Sequence, residues 1–207
     1  MGTRNITKII YQGEVKVCQY GQWDGYPTTA MADIVEFLKQ KDGVDTLLSV
    51  LPKVHLCNTP EEYQPHSLSN EIFEKIHRLL YDYKLVNDDG VTLKTYLDLT
   101  FDEMINHVII NSSISREDSF RYQLETRNTG YQIMKALTTF AATRAESIPL
   151  ISCQDIWDEW DIEAKYVVDF DAGTLTAWWH GVERTYPFDQ LPDMQEMESL
   201  EKEVFEK

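Results

Sequence analysis

The side chains best suited to binding or catalysis are concentrated in residues 19–27, which read QYGQWDGYP. Neither a helical nor a strand period explains this mixture of aromatic, amide and carboxylate groups. Gly21 and Gly25 predict a turn with special backbone angles, which would present these side chains together. Trp23 or Tyr26 would supply stacking, and Asp24 a carboxylate for acid–base chemistry or polar recognition. The segment therefore predicts a ligand pocket or, alternatively, a structural corner.

The predicted pocket also has members outside this loop. The complete set of candidate ligand-binding residues is Thr3, Arg4, Gln19, Tyr20, Gln22, Trp23, Asp24, Tyr26, Arg127, Asn128 and Thr129. Arg4 is expected beside Asp24, to pair with it or bind an anion, or else to brace a carboxylate. Residues 127–129 would begin a helix and offer backbone N–H groups to an anion, or Asn128 would simply cap that helix. In the structural alternative, Trp23 fills the core and Asp24 bonds backbone N–H groups.

Other site types find little support in the sequence. Cys18, Cys57 and Cys153 form no CxxC pair and are expected to be reduced. The five histidines lack HxH or HxxxH spacing, and the acids at 158–163 lack the glycine of a calcium loop, so no metal site is predicted. Glycine-rich phosphate loops and nucleophile elbows are also absent, and no cofactor is expected.

Charge narrows the class of partner. The net charge is −16, and residues 153–207 hold 15 Asp and Glu against 4 Lys and Arg, a net −11. Direct nucleic-acid binding is disfavoured, because phosphate contact needs clustered Lys and Arg. The acidic surface either keeps the protein soluble or docks on a basic protein. No apolar run is long enough to cross a membrane and no leader opens the chain, so a cytoplasmic protein is expected. The oligomeric state is left open.

Periodicity predicts strands at both ends of the chain and helices between them. A hairpin is expected at 5–12 and 14–20, and a meander at 164–171, 174–180 and 182–188. Helices are expected at 29–41, ended by Asp42-Gly43, and near 69–84, 101–110 and 129–146. A terminal helix from Pro192-Asp193 to about 206 would bury Met194, Met197, Leu200 and Val204. A further strand is expected within 91–99.

These elements predict a single α+β domain over residues 1–207. The N-terminal hairpin and the C-terminal meander would share one antiparallel sheet, because an isolated hairpin is only marginally stable. Helices would pack against this sheet, and residues 44–125 would form a helical insert. Of Trp178 and Trp179, one ring is expected in the core and the other at the surface.

The opening Met1-Gly2-Thr3-Arg4, the hairpin around Gly13-Glu14 and the QYGQWDGYP motif resemble an uncharacterised family from phages, bacteria and some fungi. Its members carry an SRDTG-like segment, which reads Thr126-Arg127-Asn128-Thr129-Gly130 here, with Asn128 replacing the acidic residue. They also have a late strand similar to residues 166–174. The resemblance covers both ends of the chain and thins out from 44 to 115. It implies no activity, and a phage origin would imply the host cytoplasm.

The predicted architecture also resembles that of N-terminal-nucleophile amidohydrolases, which use the first residue of the processed chain as nucleophile. That chemistry needs Cys, Ser or Thr activated by its own α-amine. Removal of Met1 leaves Gly2, and Thr3 would need a second cleavage. The resemblance therefore implies a similar β-sheet, but it does not decide whether the protein is catalytic.

Two functions follow from these observations. The first is a small-molecule-binding or amide-hydrolase-like domain, with its pocket between the N-terminus and the 19–27 loop. The second is an acidic, phage-encoded inhibitor that binds a basic host defence protein. A closed polar pocket at the loop favours the first function, whereas a filled corner with an acidic flank favours the second.

Overall fold

The computed structural model describes residues 3–64, 67–81, 83–86, 92–95, 101–115, 118–119, 121–122, 129–141, 146–157 and 161–203. The fold is α+β, as predicted, with helices around a mostly antiparallel five-stranded sheet. The chain divides into two compact units: residues 1–64, 128–141 and 146–207 form the first, and 65–127 and 142–145 the second. The second unit lies largely within the predicted insert at 44–125, but residues 44–64 belong to the first.

The five-stranded sheet joins the two ends of the chain. Its order is β2-β1-β7-β8-β9, formed by β1 (Asn5–Tyr11), β2 (Glu14–Gly21), β7 (Ala164–Asp169), β8 (Thr174–Trp179) and β9 (Val182–Pro187). The predicted hairpin and meander are confirmed. Their junction was expected to be antiparallel, but β1 and β7 pair in parallel, with Asn5 opposite Ala164. The residues before β1 therefore lie beside those before β7.

The other strands form two small pairs. β3 (Val54–Cys57) pairs in parallel with β6 (Ile148–Ile151), and β4 (Lys84–Val86) pairs antiparallel with β5 (Thr92–Thr95). β5 falls within the predicted strand at 91–99. The sequence analysis missed β3 and β6, because each is only four residues long and its partner is distant in sequence.

The helices begin with a π-helical turn at Pro27–Met31 that continues into α1 (Ala32–Leu38). They continue with α2 (Lys41–Val50), α3 (Pro60–Tyr63), α4 (Asn70–Tyr81), α5 (Phe101–Asn111), a 3-10 turn (Gly130–Gln132), α6 (Ile133–Phe140) and α7 (Met194–Glu203). Short 3-10 turns also occur at Leu51–Lys53 and Phe188–Gln190. The expected ends of the last two helices, 146 and 206, extend past these bounds.

Two details of the helix predictions are wrong. Asp42 and Gly43 were expected to end a helix, but they lie inside α2, because the chain breaks earlier, where Gln40 is extended at φ −91°. Met194 was expected in the buried stripe of α7, but it is 50% exposed, and only Met197 and Leu200 are buried there. Val204 lies outside the described residues.

Alternation along the strands decides which side chains enter the core. On β1, Asn5, Thr7 and Ile9 are fully buried on one face, which is also the face of the buried Trp179 on β8. Trp178 is half-buried, with Lys165 Nζ 4.9 Å from its ring centroid. In the second unit, the core consists of Ile76, Leu80, Met104, Val108 and Tyr122.

Glu201 on α7 forms hydrogen bonds with the π-helical turn that follows the candidate loop. Its Oε1 accepts hydrogen bonds from the backbone N–H of Thr28 at 2.7 Å and from the Thr28 hydroxyl at 2.6 Å. Because Pro27 has no N–H, Thr28 provides the first free donor of the π-helical turn. The carboxylate therefore caps that turn from a distant helix.

Glu201→Ala is expected to lower the free energy of unfolding by about 2 kcal/mol, because it removes two charge-assisted hydrogen bonds. Urea denaturation of both proteins measures the difference. Glu198→Ala is the matched control, since Glu198 is on the same helix and makes only an exposed i,i+4 pair with Lys202 at 3.2 Å. That control should cost no more than about 0.5 kcal/mol. Equal losses in the two variants would contradict the capping role.

Candidate functional site

Asn5, which the sequence analysis did not single out, occupies the centre of the candidate corner. Its side chain is fully buried. Its Nδ2 donates to the carbonyl oxygens of Gly21 at 3.3 Å and Trp23 at 3.2 Å. One amide therefore holds the end of β2 and the middle of the loop in fixed positions relative to β1.

Three glycines close around this amide. A Cβ atom added to Gly21 would lie 2.7 Å from Asn5 Nδ2, and one added to Gly25 would lie 2.8 Å from both Asn5 Cβ and the Thr3 carbonyl oxygen. A Cβ on Gly130 would lie 2.6 Å from Asn5 Oδ1. No side chain fits at these three positions, so the space inside the corner is filled by Asn5.

The reason for the loop glycines differs from the prediction. Gly21 and Gly25 were expected to need special backbone angles, but neither has a φ in the left-handed region. The loop residue with positive φ is Asp24, at 55°. Aspartate tolerates this conformation better than most residues. Gly21 and Gly25 are required by close approach instead.

Thr3 lies beside the loop, as predicted. The backbone N–H of Gly25 donates to the Thr3 carbonyl oxygen at 3.1 Å, and Thr3 is only 5% exposed. The Gly25 carbonyl oxygen accepts from the hydroxyl of Tyr166 at 2.7 Å. Complete burial raises the pKa of Tyr166 well above its ordinary value, so this phenol is a permanent donor. The two backbone polar groups of Gly25 are thus held by Thr3, just before β1, and by Tyr166 on β7.

Arg4 does not pair with Asp24. Its guanidinium forms ion pairs with Asp161 and Glu163, and its backbone N–H donates to Glu163 Oε2 at 2.6 Å. The parallel pairing of β1 and β7 explains this, because it aligns Arg4 with the residues that precede Ala164. Arg4 therefore braces carboxylates, which was one of the expected alternatives. The sequence analysis had not identified Asp161 and Glu163 as those carboxylates.

Gln19 and Thr129 are buried and hydrogen-bonded inside the fold. Gln19 Nε2 donates to the carbonyl oxygen of Ile151 at 2.6 Å, and its Oε1 accepts from the Thr129 hydroxyl at 3.4 Å. Thr129 is 2% exposed, so its side chain is not presented to a ligand in solution. Arg127 and Asn128 lie outside the described residues, and their predicted roles stay predictions.

The remaining loop residues face solvent. Trp23 is 62% exposed and Tyr26 43% exposed, so the expectation that Trp23 fills the core is wrong. Tyr26 rests with its ring centroid 5.6 Å from that of the buried Trp179. Asp24 is exposed, and its carboxylate has no hydrogen-bond partner among the described residues. Gln22 is half-buried and accepts from the Tyr20 hydroxyl at 2.5 Å.

Carboxylates act on two tyrosines of this corner, Tyr131 and Tyr20. Burial raises the pKa of Tyr131, and the negative charges of Asp33 and Asp24 raise it further. Burial also raises the pKa of Tyr20; Arg4 opposes this shift, whereas the nearby carboxylates Asp161 and Glu163 add to it. Of these carboxylates, Asp33 pairs with Lys135 at 3.1 Å, and Asp161 and Glu163 share Arg4, so that cluster keeps a formal charge of −1.

The cysteines offer no activated thiolate. Burial raises the pKa of Cys18 to about 12 and also raises those of Cys57 and Cys153. All three are free thiols. Within the described residues, no three His, Cys, Asp or Glu side chains are grouped to hold a metal ion. Across that part of the chain there is also no helix long and apolar enough to cross a membrane.

Sequence reasoning found the exposed loop but missed the residues that hold it. Asn5, Gly130 and Tyr166 come from three distant parts of the chain. The available signal was an amide at the start of a strand rich in β-branched residues, which is unfavourable unless its hydrogen bonds are satisfied. Comparisons of the chain with protein-family models, with curated proteins and with solved structures give no match, so its functional assignment rests on its own geometry.

Proposed function

We propose that this protein is a binding protein whose exposed loop, residues 22–26, recognises a cationic segment of a basic partner protein. The observation that carries the proposal is the exposure of Trp23 and Tyr26, 62% and 43%, on a backbone fixed by buried hydrogen bonds. Large exposed aromatic side chains on a rigid support are typical anchors of protein interfaces. Their immobilisation before binding reduces the entropy lost on association.

The chemistry of the loop favours a cation as its ligand. Indole and phenol rings attract lysine and arginine side chains through cation–π interactions, and Asp24 adds a carboxylate without a partner among the described residues. Asp161 and Glu163 share one cation, Arg4, and so add a formal charge of −1, whereas Asp33 is paired with Lys135. The net charge of −16 would steer a basic partner over a longer distance.

A filled corner with an acidic flank supports the inhibitor hypothesis over the pocket hypothesis. The resemblance to phage proteins adds a second reason for this choice. We therefore take the partner to be a basic defence protein in the host cytoplasm. The acidic surface would block the nucleic-acid-binding groove of that protein. Binding of this kind needs no catalytic group, cofactor or nucleic acid. The partner's own Lys and Arg side chains supply the complementary charge.

The proposal predicts that Trp23→Ala weakens binding of a fluorescently labelled decaarginine peptide at least tenfold, because truncation of a central aromatic anchor typically costs 2 kcal/mol or more. Asp24→Asn should weaken it severalfold. Fluorescence anisotropy at low salt measures both affinities. Asp189→Asn is the charge-matched control, since Asp189 is also exposed and lies on the 3-10 turn after β9.

Rising salt should weaken binding by the unchanged protein steeply, because exposed charges are screened. Trp23→Phe should keep most of the affinity. Equal affinities for Trp23→Ala and Asp189→Asn would mean that decaarginine binds the acidic surface in general, and the loop would lose its role. Binding insensitive to salt would also contradict the proposal.

The small-molecule or amide-hydrolase-like alternative uses the same corner and keeps one supporting observation, the contact of Thr3 with Gly25. It requires an opening beside Asn5, which fills the space between the three glycines. Native mass spectrometry of the purified protein tests this alternative. A retained small molecule, lost in Trp23→Ala, would favour it over the binding of a basic protein.

A further inference from the structure

A long groove in the second unit carries chemistry that the proposed function does not use. It runs along α4, has a volume of about 990 Å³ and is open to solvent. Residues of α4 line it from Asn70 onward, and Tyr83 and two residues of α5 also line it. This volume lies at the upper end of the range for small-molecule sites.

The charged residues of α4 that line the groove come in the order Glu71, Glu74, Lys75 and Arg78. Each cation follows a glutamate by four residues, so a carboxylate lies one helical turn before each of them. Lys75 and Arg78 are three residues apart, so they share one helix face. Neither makes an ion pair within the described part of the chain. In a protein of net charge −16, two neighbouring cations without an ion pair among the described residues favour an anion site.

His107 adds a third donor at the cationic end. Asn111 Nδ2 donates to the His107 carbonyl oxygen at 2.8 Å and lies 3.3 Å from His107 Nδ1. An amide nitrogen that donates to a carbonyl must also be the donor towards Nδ1, so Nδ1 is the acceptor and Nε2 carries the proton. The ring also meets Tyr83 edge to face, with centroids 4.9 Å apart. The imidazole is therefore held in place with its N–H donor free of Asn111.

The same end of the groove has an apolar wall. Leu79 and Tyr83 are half-buried and line it beside Arg78. The favourable interaction of a cation with the C-terminus of a helix explains Arg78 in the last turn of α4. It does not explain the fixed imidazole and the apolar wall next to that cation. Together they suit a ligand with an apolar body and an anionic head.

We propose that this groove binds an amphipathic organic anion. Arg78, Lys75 and the His107 N–H hold its carboxylate or phosphate head, and Leu79 and Tyr83 contact its aliphatic or aromatic body. Glu71, near the N-terminus of α4, repels a second anionic group at that end, which selects for a single head. This site is independent of the loop at residues 22–26, which belongs to the other unit.

The test uses the full-length protein and the fluorescent probe 8-anilinonaphthalene-1-sulfonate, which has an aromatic body and one anionic head. Lys75→Met/Arg78→Met should bind it at least tenfold more weakly, while the neutral N-phenyl-1-naphthylamine binds both proteins equally. Lys39→Met, an exposed cation on another surface, is the matched control and should leave both affinities unchanged. Glu74→Gln should tighten sulfonate binding about twofold, which tests the site without removing a cation.

Displacement of the bound sulfonate then identifies the head group. Decanoate or decyl phosphate should displace it, and the more effective of the two shows whether the site prefers carboxylate or phosphate. Decanol should be at least tenfold less effective than either. Absence of sulfonate binding, equal affinity in the double methionine variant, weaker binding in Glu74→Gln, or displacement by decanol as effective as by the anions would each overturn the proposal.

Discussion

Gly130→Ala is expected to lower the free energy of unfolding by about 2–4 kcal/mol. Two costs add at this position. Gly130 has a φ of +46°, where a residue with a side chain is strained by about 1 kcal/mol or more. The new methyl group would also lie 2.6 Å from Asn5 Oδ1 and 2.8 Å from Gly21 Cα, and such overpacking typically costs 1–3 kcal/mol.

Gly173→Ala separates these two costs. Gly173 also has positive φ, +67°, but a Cβ atom there would meet nothing within 4 Å. This control should therefore lose only about 1 kcal/mol, from the backbone alone. Urea denaturation at pH 7 measures both variants. Similar losses of unfolding free energy in the two variants would mean that the residues around Asn5 readily move to accommodate a methyl group. The loop would then not be rigidly supported.

Asn5→Asp should destabilise the fold by about 3–5 kcal/mol at pH 7, although it changes almost no volume. Asn5 Nδ2 donates to the carbonyl oxygens of Gly21 and Trp23, and a carboxylate would place a negative oxygen against both. Asn5 is fully buried, so water cannot relieve the repulsion. The loop at residues 22–26 should also lose its fixed conformation.

The loss in Asn5→Asp should depend on pH in a defined direction. Burial and two facing carbonyl oxygens favour the protonated carboxyl, so its folded-state pKa would lie above the unfolded value of about 3.9. The unfolded chain ionises more readily, and the deficit relative to the original protein grows as pH rises from about 4 to 7. Asn106→Asp, at an exposed position on α5, is the control and should change stability by less than about 0.5 kcal/mol. A deficit that shrinks with rising pH would refute the assigned orientation of the Asn5 amide.

Both predictions concern residues whose structural role the sequence analysis did not identify. Strand alternation correctly gave the hairpin and the meander, because each strand buries one face. It could not give the parallel pairing of β1 and β7, since pairing between the ends of the chain depends on how the whole sheet assembles. That pairing decides the partners of Arg4, which are Asp161 and Glu163 rather than Asp24.

The helices also show which features local sequence patterns predict and which depend on tertiary packing. The apolar spacing of Ile72, Ile76 and Leu80 predicted α4, because local periodicity determines which face of a helix is buried. Gly43 was expected to end a helix, but α2 runs through it. A single glycine costs about 1 kcal/mol in a helix, which packing of Leu47 and Val50 readily offsets.

The sequence by itself determined the α+β class, the acidic charge and the position of a loop rich in aromatic and polar groups. These properties depend on composition and short-range periodicity, which the order of residues contains directly. Only the tertiary structure decided that Asn5 fills the corner, that Gly21, Gly25 and Gly130 are needed for close approach, and that Trp23 and Tyr26 remain outside. Those features depend on distances between segments far apart in the chain, which no local pattern specifies.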